Sequence, residues 1–454
     1  MVKARDVPTF DQWRDYLFHR TRLSAFCDPD EDDYTKKESI LKRIPLTDYM
    51  TRLFEKSGSL IERYSPNELA RGFEDLSRAR RGGLERALRV ADSHKRQIRL
   101  IKSIFPLYRD LFAKLCTQPI LDADGKCIPK GKLEYQCTTF WWGSDVWRAA
   151  TSPSATHLHD ATFETLERIL GLNSSDCLEA ALYALKEIRP TQPERVHQIA
   201  TDFLTRKEGI ETCIRERAKK LLDAEQPDSP DLDFDEWIKY VFDRPIQEES
   251  WYWLKDENGE YLDRWQPHPV SLAEHMARLF EQPAFLAERF SSEQIDQGFW
   301  FLPHGEWDHY KYALRDEIPL ETQLRWVRAI PNLYRNLFAP LCSPHMGSQP
   351  INQDLPENPL NGACYMFWDM NDLYALVSSF WHRHVWPDAL RALEQILEID
   401  SIPCQESALH GLGHLYKTIP DQVQSIIRRF PQTGKKLHPA LQGYAEAAGK
   451  GWVQ

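Results

Sequence analysis

Apolar residues recur three or four positions apart along most of the chain, which is the pattern of helices that bury one face. The run from Ile104 to Cys116 is a clear example. Pro193 and Pro420 each stand between two such runs, where proline favours the first turn of the following helix. The pattern predicts an all-α fold with roughly five or six helices in each half of the chain.

The hydrophobic pattern occurs twice. Phe10-Asp11-Gln12-Trp13 returns as Phe234-Asp235-Glu236-Trp237, and matching residues stay 224 to 227 positions apart up to the end of both copies. Residues 104–116 and 330–342 are identical at nine of thirteen positions. We therefore predict a tandem duplication, with a first half at 1–222, a linker at 223–233 and a second half at 234–454.

Half-length copies built from paired helices resemble HEAT-like repeats and other α-solenoids. The resemblance concerns architecture only, since the chain carries no motif of such a family. It implies helix pairs stacked side by side, with most of the shared apolar positions in the core.

The two halves of the chain differ in net charge. Residues 1–226 carry 38 basic and 35 acidic side chains, whereas residues 227–454 carry 19 and 33, a net charge of −14. The second half also holds eleven of the fifteen tryptophans. An acidic, aromatic composition favours a cationic protein partner and disfavours nucleic acid.

The sequence also allows expectations about the protein's location and about the state of its cysteines. We find no apolar run of eighteen residues and no signal-peptide pattern, so we expect a cytoplasmic protein without a membrane partner. The nine cysteines form no CxxC pair, and three of them occupy equivalent places in both halves. We expect them to be reduced and buried.

An insertion in the second half has the pattern of a β-hairpin. Asn258-Gly259 lies between aromatic runs within Trp251–Trp265, which is a strong turn signal. A partner-binding finger and a flap over its own domain are equally compatible with this sequence. Its candidate binding residues are Trp251, Trp253, Glu257, Asp263 and Trp265.

A second group of candidates follows the matched cysteines. Cys364 begins a run in which the aromatic Trp368 is followed by two carboxylates, Asp369 and Asp372. Asp308 is a further acidic candidate, from the segment between Trp300 and Arg328. Such a run can line a cleft, although a core aromatic with an Asp near a helix end is the commoner arrangement, and we favour it. We retain all four residues as candidate binding residues.

Histidines supply the only metal-like spacing. His410 and His414 lie four residues apart on one predicted helical face, and His382 and His384 precede them. Gly411 stands where the HExxH motif has its glutamate, so a metalloprotease is excluded. We favour a structural or interaction role for these four histidines over a metal site, and we expect no cofactor.

We expect a non-catalytic helical protein that binds a basic protein partner, for example a bacterial immunity or inhibitor protein that masks a basic toxin domain. The alternative is an all-α hydrolase. It takes either an (α/α)-toroid glycosidase form, with Asp369 and Asp372 as acid and base near His384, or a metal-dependent form that uses the four histidines.

Overall fold

The computed structural model divides the chain into two compact units, residues 1–225 and 226–454. It describes residues 7–19, 44–77, 83–116, 120–121, 127–128, 131–207, 209–222, 231–246, 268–303, 309–347, 358–371, 382–430 and 438–453. The predicted hairpin at Trp251–Trp265, Asp308 and Asp372 lie outside these residues, as does most of the predicted linker.

The first unit is helical. Its helices are α1 (Phe10–His19), α2 (Leu46–Glu55), α3 (Pro66–Ser77), α4 (Gly83–Val90), α5 (His94–Leu107), α6 (Ala113–Leu115), α7 (Lys132–Gly143), α8 (His159–Leu170), α9 (Ser175–Ile188), α10 (Pro193–Arg206) and α11 (Thr212–Lys220). Two strands of two residues each, β1 (Ile120–Leu121) and β2 (Cys127–Ile128), pair antiparallel and are the only strands among the described residues.

The second unit consists of helices and connecting turns, with no strand among its described residues. Its helices are α12 (Phe234–Phe242), α13 (Pro269–Glu281), α14 (Phe285–Arg289), α15 (Ser292–Phe301), α16 (His309–Tyr312), α17 (Leu320–Leu333), α18 (Ala339–Leu341), α19 (Pro359–Met370), α20 (Trp386–Leu397), α21 (Ile402–Leu415), α22 (Pro420–Arg429) and α23 (Pro439–Ala448). The predicted helical fold is confirmed for the described residues apart from the two short strands β1 and β2, but each unit has about twice the five or six helices expected. None of their helices is long and apolar enough to span a bilayer.

Local signals in the sequence explain where several helices begin. Asp233 and Glu236 form a capping box at the start of α12, and Ser291 and Gln294 form another before α15. Helices α10 and α22 begin at a proline, whose missing N–H costs nothing in a first helical turn. These caps explain why the helix starts could be read from the sequence.

Equivalent helices pack in the same order in both units. In the first unit α2 packs on α5, α3 on α7, and α7 on α9; in the second, α13 packs on α17, α15 on α19, and α19 on α21. The final helix of each unit, α11 or α23, rests on the same partner, α9 or α21. Three tryptophans of the second half, Trp237, Trp326 and Trp368, belong to its core and are at most 1% exposed.

A tyrosine anchors the middle of each core. The long helices α5 and α17 contain a proline and pass into π-helical turns, Tyr108–Phe112 and Tyr334–Phe338. The buried Tyr108 hydroxyl donates to the carbonyl oxygen of Cys137 at 2.8 Å, and Tyr334 donates to Cys364 at 3.3 Å. Each bond ties a π turn to the next core helix.

The matched cysteines lie in these cores. Cys116, Cys137, Cys177, Cys364 and Cys404 are free and buried, and Cys342 is free and partly exposed. The Sγ atoms of Cys137 and Cys177 are 3.9 Å apart. Cys213 is disulfide-bonded, so the expectation of uniformly reduced cysteines is wrong for that residue.

A glycine sets how closely two helices approach in each unit. A Cβ at Gly72 would lie 2.2 Å from Phe18, and a Cβ at Gly298 would lie 2.2 Å from Phe242. Both aromatic rings are almost fully buried and cannot swing into solvent. The close contact between α1 and α3, and between α12 and α15, therefore requires glycine.

We expect Gly298→Ala to destabilise the protein by about 1–3 kcal/mol, because the new methyl group overpacks the contact with Phe242. Urea unfolding measures the change. Gly362→Ala is the matched control, since its Cβ would meet nothing within 4 Å and alanine favours a helix. Equal stability of the two variants would contradict the close approach of α12 and α15.

Candidate functional site

The strongest concentration of chemistry in the described residues lies where α19, α21 and α23 meet. Helix α19 carries Tyr365 and Asp369, four residues apart and on one face. Helix α21 carries Glu406, His410 and His414 at the same four-residue spacing. We call Asp369, His410 and His414 the Asp–His–His cluster.

Glycine brings the two helices together. A Cβ at Gly411 would lie 2.9 Å from the Trp368 ring, so α21 can lie against that side chain only because residue 411 has none. Trp368 is 1% exposed and immediately precedes Asp369. The packing of Trp368 on Gly411 thus places the Asp369 carboxylate opposite the two histidines.

The cluster is tightly converged. Asp369 Oδ2 lies 2.9 Å from His410 Nε2, and Asp369 Oδ1 lies 2.9 Å from His414 Nε2. The two Nε2 atoms are 3.1 Å apart. His410 is fully buried, whereas the side chains of Asp369 and His414 are 23% and 27% exposed, so one edge of the cluster faces solvent.

Hydrogen bonds alone cannot account for all three contacts among Asp369, His410 and His414. An ionised carboxylate only accepts, so both imidazoles would have to donate to Asp369, and neither could then accept from the other at 3.1 Å. Asp369 Oδ1 accepts no hydrogen bond from any described residue, despite its distance of 2.9 Å from His414. A cation placed between the carboxylate and the two Nε2 atoms removes the conflict, because all of these groups can then present lone pairs to it.

Ligand type and spacing fit a transition metal. Imidazole nitrogen and carboxylate oxygen bind Zn²⁺ and Fe²⁺, and two histidines with one carboxylate form the facial set that leaves coordination positions open. Ligands bound at about 2.1 Å stand roughly 3 Å apart along an octahedral edge. The 3.1 Å between the two Nε2 atoms matches that spacing, and each Nε2 atom has a different Asp369 oxygen at 2.9 Å.

Two tyrosines extend the cluster. His410 Nδ1 lies 2.8 Å from the Tyr444 hydroxyl on α23, and the hydroxyls of Tyr444 and Tyr365 are 3.0 Å apart. Metal-binding histidines commonly use their second nitrogen in this way. Glu406, one turn before His410, is fully buried and accepts the Gly347 backbone N–H at 2.6 Å.

The surroundings shift the pKa values of three of these groups. Burial by itself would raise the pKa of Asp369, but the hydrogen bond with His410 and the attraction of both His410 and His414 hold it well below its ordinary value. Burial raises the pKa of Tyr365 and of Tyr444, and the Tyr365 hydroxyl raises that of Tyr444 further. The carboxylate is therefore ionised and both phenols are neutral at neutral pH.

The first unit has a different arrangement at the same positions. Tyr183 and Glu187 replace His410 and His414, and Arg217 stands where Tyr444 does. Arg217 forms an ion pair of 2.9 Å with Glu179, the counterpart of Glu406. The fold can therefore secure its last helix with a plain ion pair, so the histidines of the second unit are not a requirement of the architecture.

The structure brings together some of the residues singled out in the sequence and separates others. Asp369, His410 and His414 come together, whereas His384 lies elsewhere, with Nε2 2.9 Å from Gln323 Oε1. His382 is buried near His384, with ring centroids 6.2 Å apart. The four-histidine arrangement is replaced by a set in which Asp369 joins His410 and His414.

Trp368 and Asp369 are candidate binding residues from the sequence, where a core aromatic beside an Asp is the favoured arrangement. Trp368 is a core residue and is not available to a partner in this structure. Asp369 does not suit the general acid of a glycosidase, because that role needs a raised pKa and its pKa is lowered. Tyr365, Glu406 and Tyr444 were not singled out from the sequence, and their one signal is that Thr138 and Arg217 replace the two tyrosines in the first half.

Comparisons with known proteins add no assignment. No protein-family model matches the chain, and no curated protein is detectably similar to it.

We expect the charge of Asp369 to make metal-free protein sensitive to acid. Because its folded pKa is below the ordinary value of about 3.9, its contacts stabilise the fold above about pH 4 and are lost as the pH falls further. Between about pH 5 and 2, wild type should lose on the order of 1–2 kcal/mol more than Asp369→Asn in urea unfolding. Asp421→Asn, at an exposed carboxylate, is the control. Equal pH slopes for all three proteins would contradict the contacts.

Proposed function

We propose that this is a metal-binding protein whose second unit holds one divalent transition-metal ion through Asp369, His410 and His414. The observation that carries the proposal is the approach of two imidazoles to one carboxylate. Asp369 Oδ2 lies 2.9 Å from His410 Nε2, and Asp369 Oδ1 lies 2.9 Å from His414 Nε2. The two Nε2 atoms are 3.1 Å apart and cannot hydrogen-bond to each other while both donate to the carboxylate. These residues are also the only group of three or more metal-ligating side chains that converges among the described residues.

The proposed site resembles catalytic metal sites more than structural ones. Three protein ligands leave positions for water or another oxygen ligand, as in catalytic zinc sites, whereas structural zinc sites have four protein ligands. The partly exposed edge formed by Asp369 and His414 gives such a ligand a path from solvent. Hydrolysis by metal-bound water is the reaction class that we propose for this centre.

The relation between the units supports the same proposal. We propose that they arose by duplication of one α-solenoid-like half, on the basis of the matched proline helix starts, π turns and glycines. In this account the first unit keeps the Glu179–Arg217 ion pair, and the second unit has replaced it with a metal centre.

We expect chelator-treated protein to bind one Zn²⁺ per chain in isothermal titration calorimetry. Asp369→Asn and His414→Gln should weaken binding by more than the 10–100-fold that is typical of outer-sphere changes, because each removes a ligand. His384→Gln, outside the cluster, is the matched control and should bind as wild type does. No binding by wild type, or equal affinity of all variants, would overturn the proposal.

A second candidate function is binding of a basic protein, in the manner of a cytoplasmic inhibitor or immunity protein. The observation that favours it is a set of exposed carboxylates in the second unit that have no ion-pair or hydrogen-bond partner among the residues that the structure describes: Asp243, Glu288, Glu398, Asp421 and Glu446. Together with the net charge of −14 over residues 227–454, they give a field that steers cations toward this unit.

A lysine-rich polypeptide is a suitable probe for this second candidate. We expect its affinity to fall several-fold between about 50 and 300 mM salt, and to fall at low salt when Glu398 and Asp421 are changed to lysine. Lys186→Glu, on the first unit, is the control and should not weaken binding. Affinity that is indifferent to salt and to these reversals would exclude an electrostatic docking surface.

A further inference from the structure

Tyr444 contacts the cluster through the nitrogen of His410 that faces away from Asp369. His410 Nδ1 is 2.8 Å from the Tyr444 hydroxyl, while His410 Nε2 is 2.9 Å from Asp369 Oδ2. A neutral imidazole carries one proton, so one of its nitrogens donates and the other accepts. The tautomer of His410 therefore decides the direction of both hydrogen bonds.

Without a metal, the carboxylate determines the tautomer. Ionised Asp369 accepts only, so a neutral His410 donates to it from Nε2. Nδ1 then has a lone pair and accepts the Tyr444 O–H. Tyr444 in turn accepts from Tyr365, whose hydroxyl lies 3.0 Å away.

With a metal, the same atoms have the opposite roles. Coordination by Nε2 uses the lone pair on that nitrogen, so the single proton of the neutral imidazole must reside on Nδ1. Nδ1–H then donates to the Tyr444 oxygen, which frees the Tyr444 proton to face Tyr365. The imidazole stays neutral, because it releases the Nε2 proton to solvent and takes one up at Nδ1.

We propose that Tyr444 is the positioning residue of the metal centre: it accepts the Nδ1–H of His410 in the metal-bound form and so holds the imidazole with Nε2 toward the metal. The inference rests on the proposed metal site. Its geometric basis is that Tyr444 is partly buried and lies within hydrogen-bond distance of both His410 and Tyr365.

The hydroxyl also links the site to the last helix. Tyr444 belongs to α23, which packs on α21, and its counterpart Arg217 holds α11 by the ion pair to Glu179. In the second unit the bond between Tyr444 and His410 replaces that ion pair. Metal binding therefore acts on the same contact that attaches the C-terminal helix of the unit.

Nitrogen-15 NMR of histidine-labelled full-length protein tests the tautomer. At pH 8, above the range in which histidines ordinarily carry charge, we expect His410 to be protonated at Nε2 without metal and at Nδ1 after addition of Zn²⁺. The His410→Gln spectrum assigns the resonances. A His410 Nδ1 that is already protonated in metal-free protein, or that stays unprotonated with bound Zn²⁺, would overturn the inference.

Variants test the positioning role. We expect Tyr444→Phe to weaken Zn²⁺ binding 10–100-fold, as is usual for an outer-sphere partner, and Tyr365→Phe to have a smaller effect because the acceptor on His410 remains. Tyr416→Phe is the matched control, since the Tyr416 hydroxyl contacts only Gln424, at 3.4 Å, among the described residues. If Tyr444→Phe binds as tightly as Tyr416→Phe, Tyr444 does not position His410.

The outcomes separate this inference from the proposed function. Zn²⁺ binding that depends on Asp369 and His414 but not on Tyr444 leaves the metal site intact and refutes the positioning role alone. Absence of Zn²⁺ binding by wild type refutes both. The wild-type NMR measurement decides the matter even if the Tyr444 variant does not fold.

Discussion

The packing of Trp368 against Gly411 is the contact on which the candidate site depends. The two helices α19 and α21 approach so closely because residue 411 has no side chain, and a Cβ there would lie 2.9 Å from the indole ring. Trp368 is buried in the core, so its position is fixed by the same apolar contacts that stabilise the unit. Asp369, the next residue, is consequently held against His410 and His414.

That arrangement brings together groups whose electrostatic requirements conflict. A carboxylate and two imidazoles lie at mutual distances of about 3 Å, and their protons cannot be distributed to make every contact a hydrogen bond. Conflicts of this kind inside an otherwise well-packed fold are expected at functional sites. The first unit solves the same packing problem with Glu179 and Arg217, which shows that the fold itself does not require the conflict.

Much of the fold could be predicted from the sequence because its signals are local. Amphipathic spacing gives the helices, and prolines such as Pro193 and Pro420 mark where they start. The candidate site was harder to predict from the sequence. His410 and His414 share a helical face and could be paired by spacing, whereas Asp369 lies 41 positions from His410 and Tyr444 lies 34 positions from it. Only tertiary packing brings those residues together, and no local pattern encodes it.

Comparison of the two halves of the chain was the better guide to the candidate site. Shared residues such as Gly72 and Gly298 proved to be structural, since each accommodates an aromatic ring of its own unit. The residues that differ, including His410 against Tyr183 and Tyr444 against Arg217, are those that form the cluster. The tryptophan excess was a weaker signal, because Trp237, Trp326 and Trp368 are core residues.

X-ray absorption spectroscopy of the zinc-loaded full-length protein tests the central claim most directly, because it identifies the atoms bound to the metal. The account predicts a first shell of nitrogen and oxygen only, with the scattering pattern of two imidazoles, and loss of one imidazole in His414→Gln. Sulfur in the first shell would place the metal at the buried cysteines instead and would contradict the Asp–His–His site.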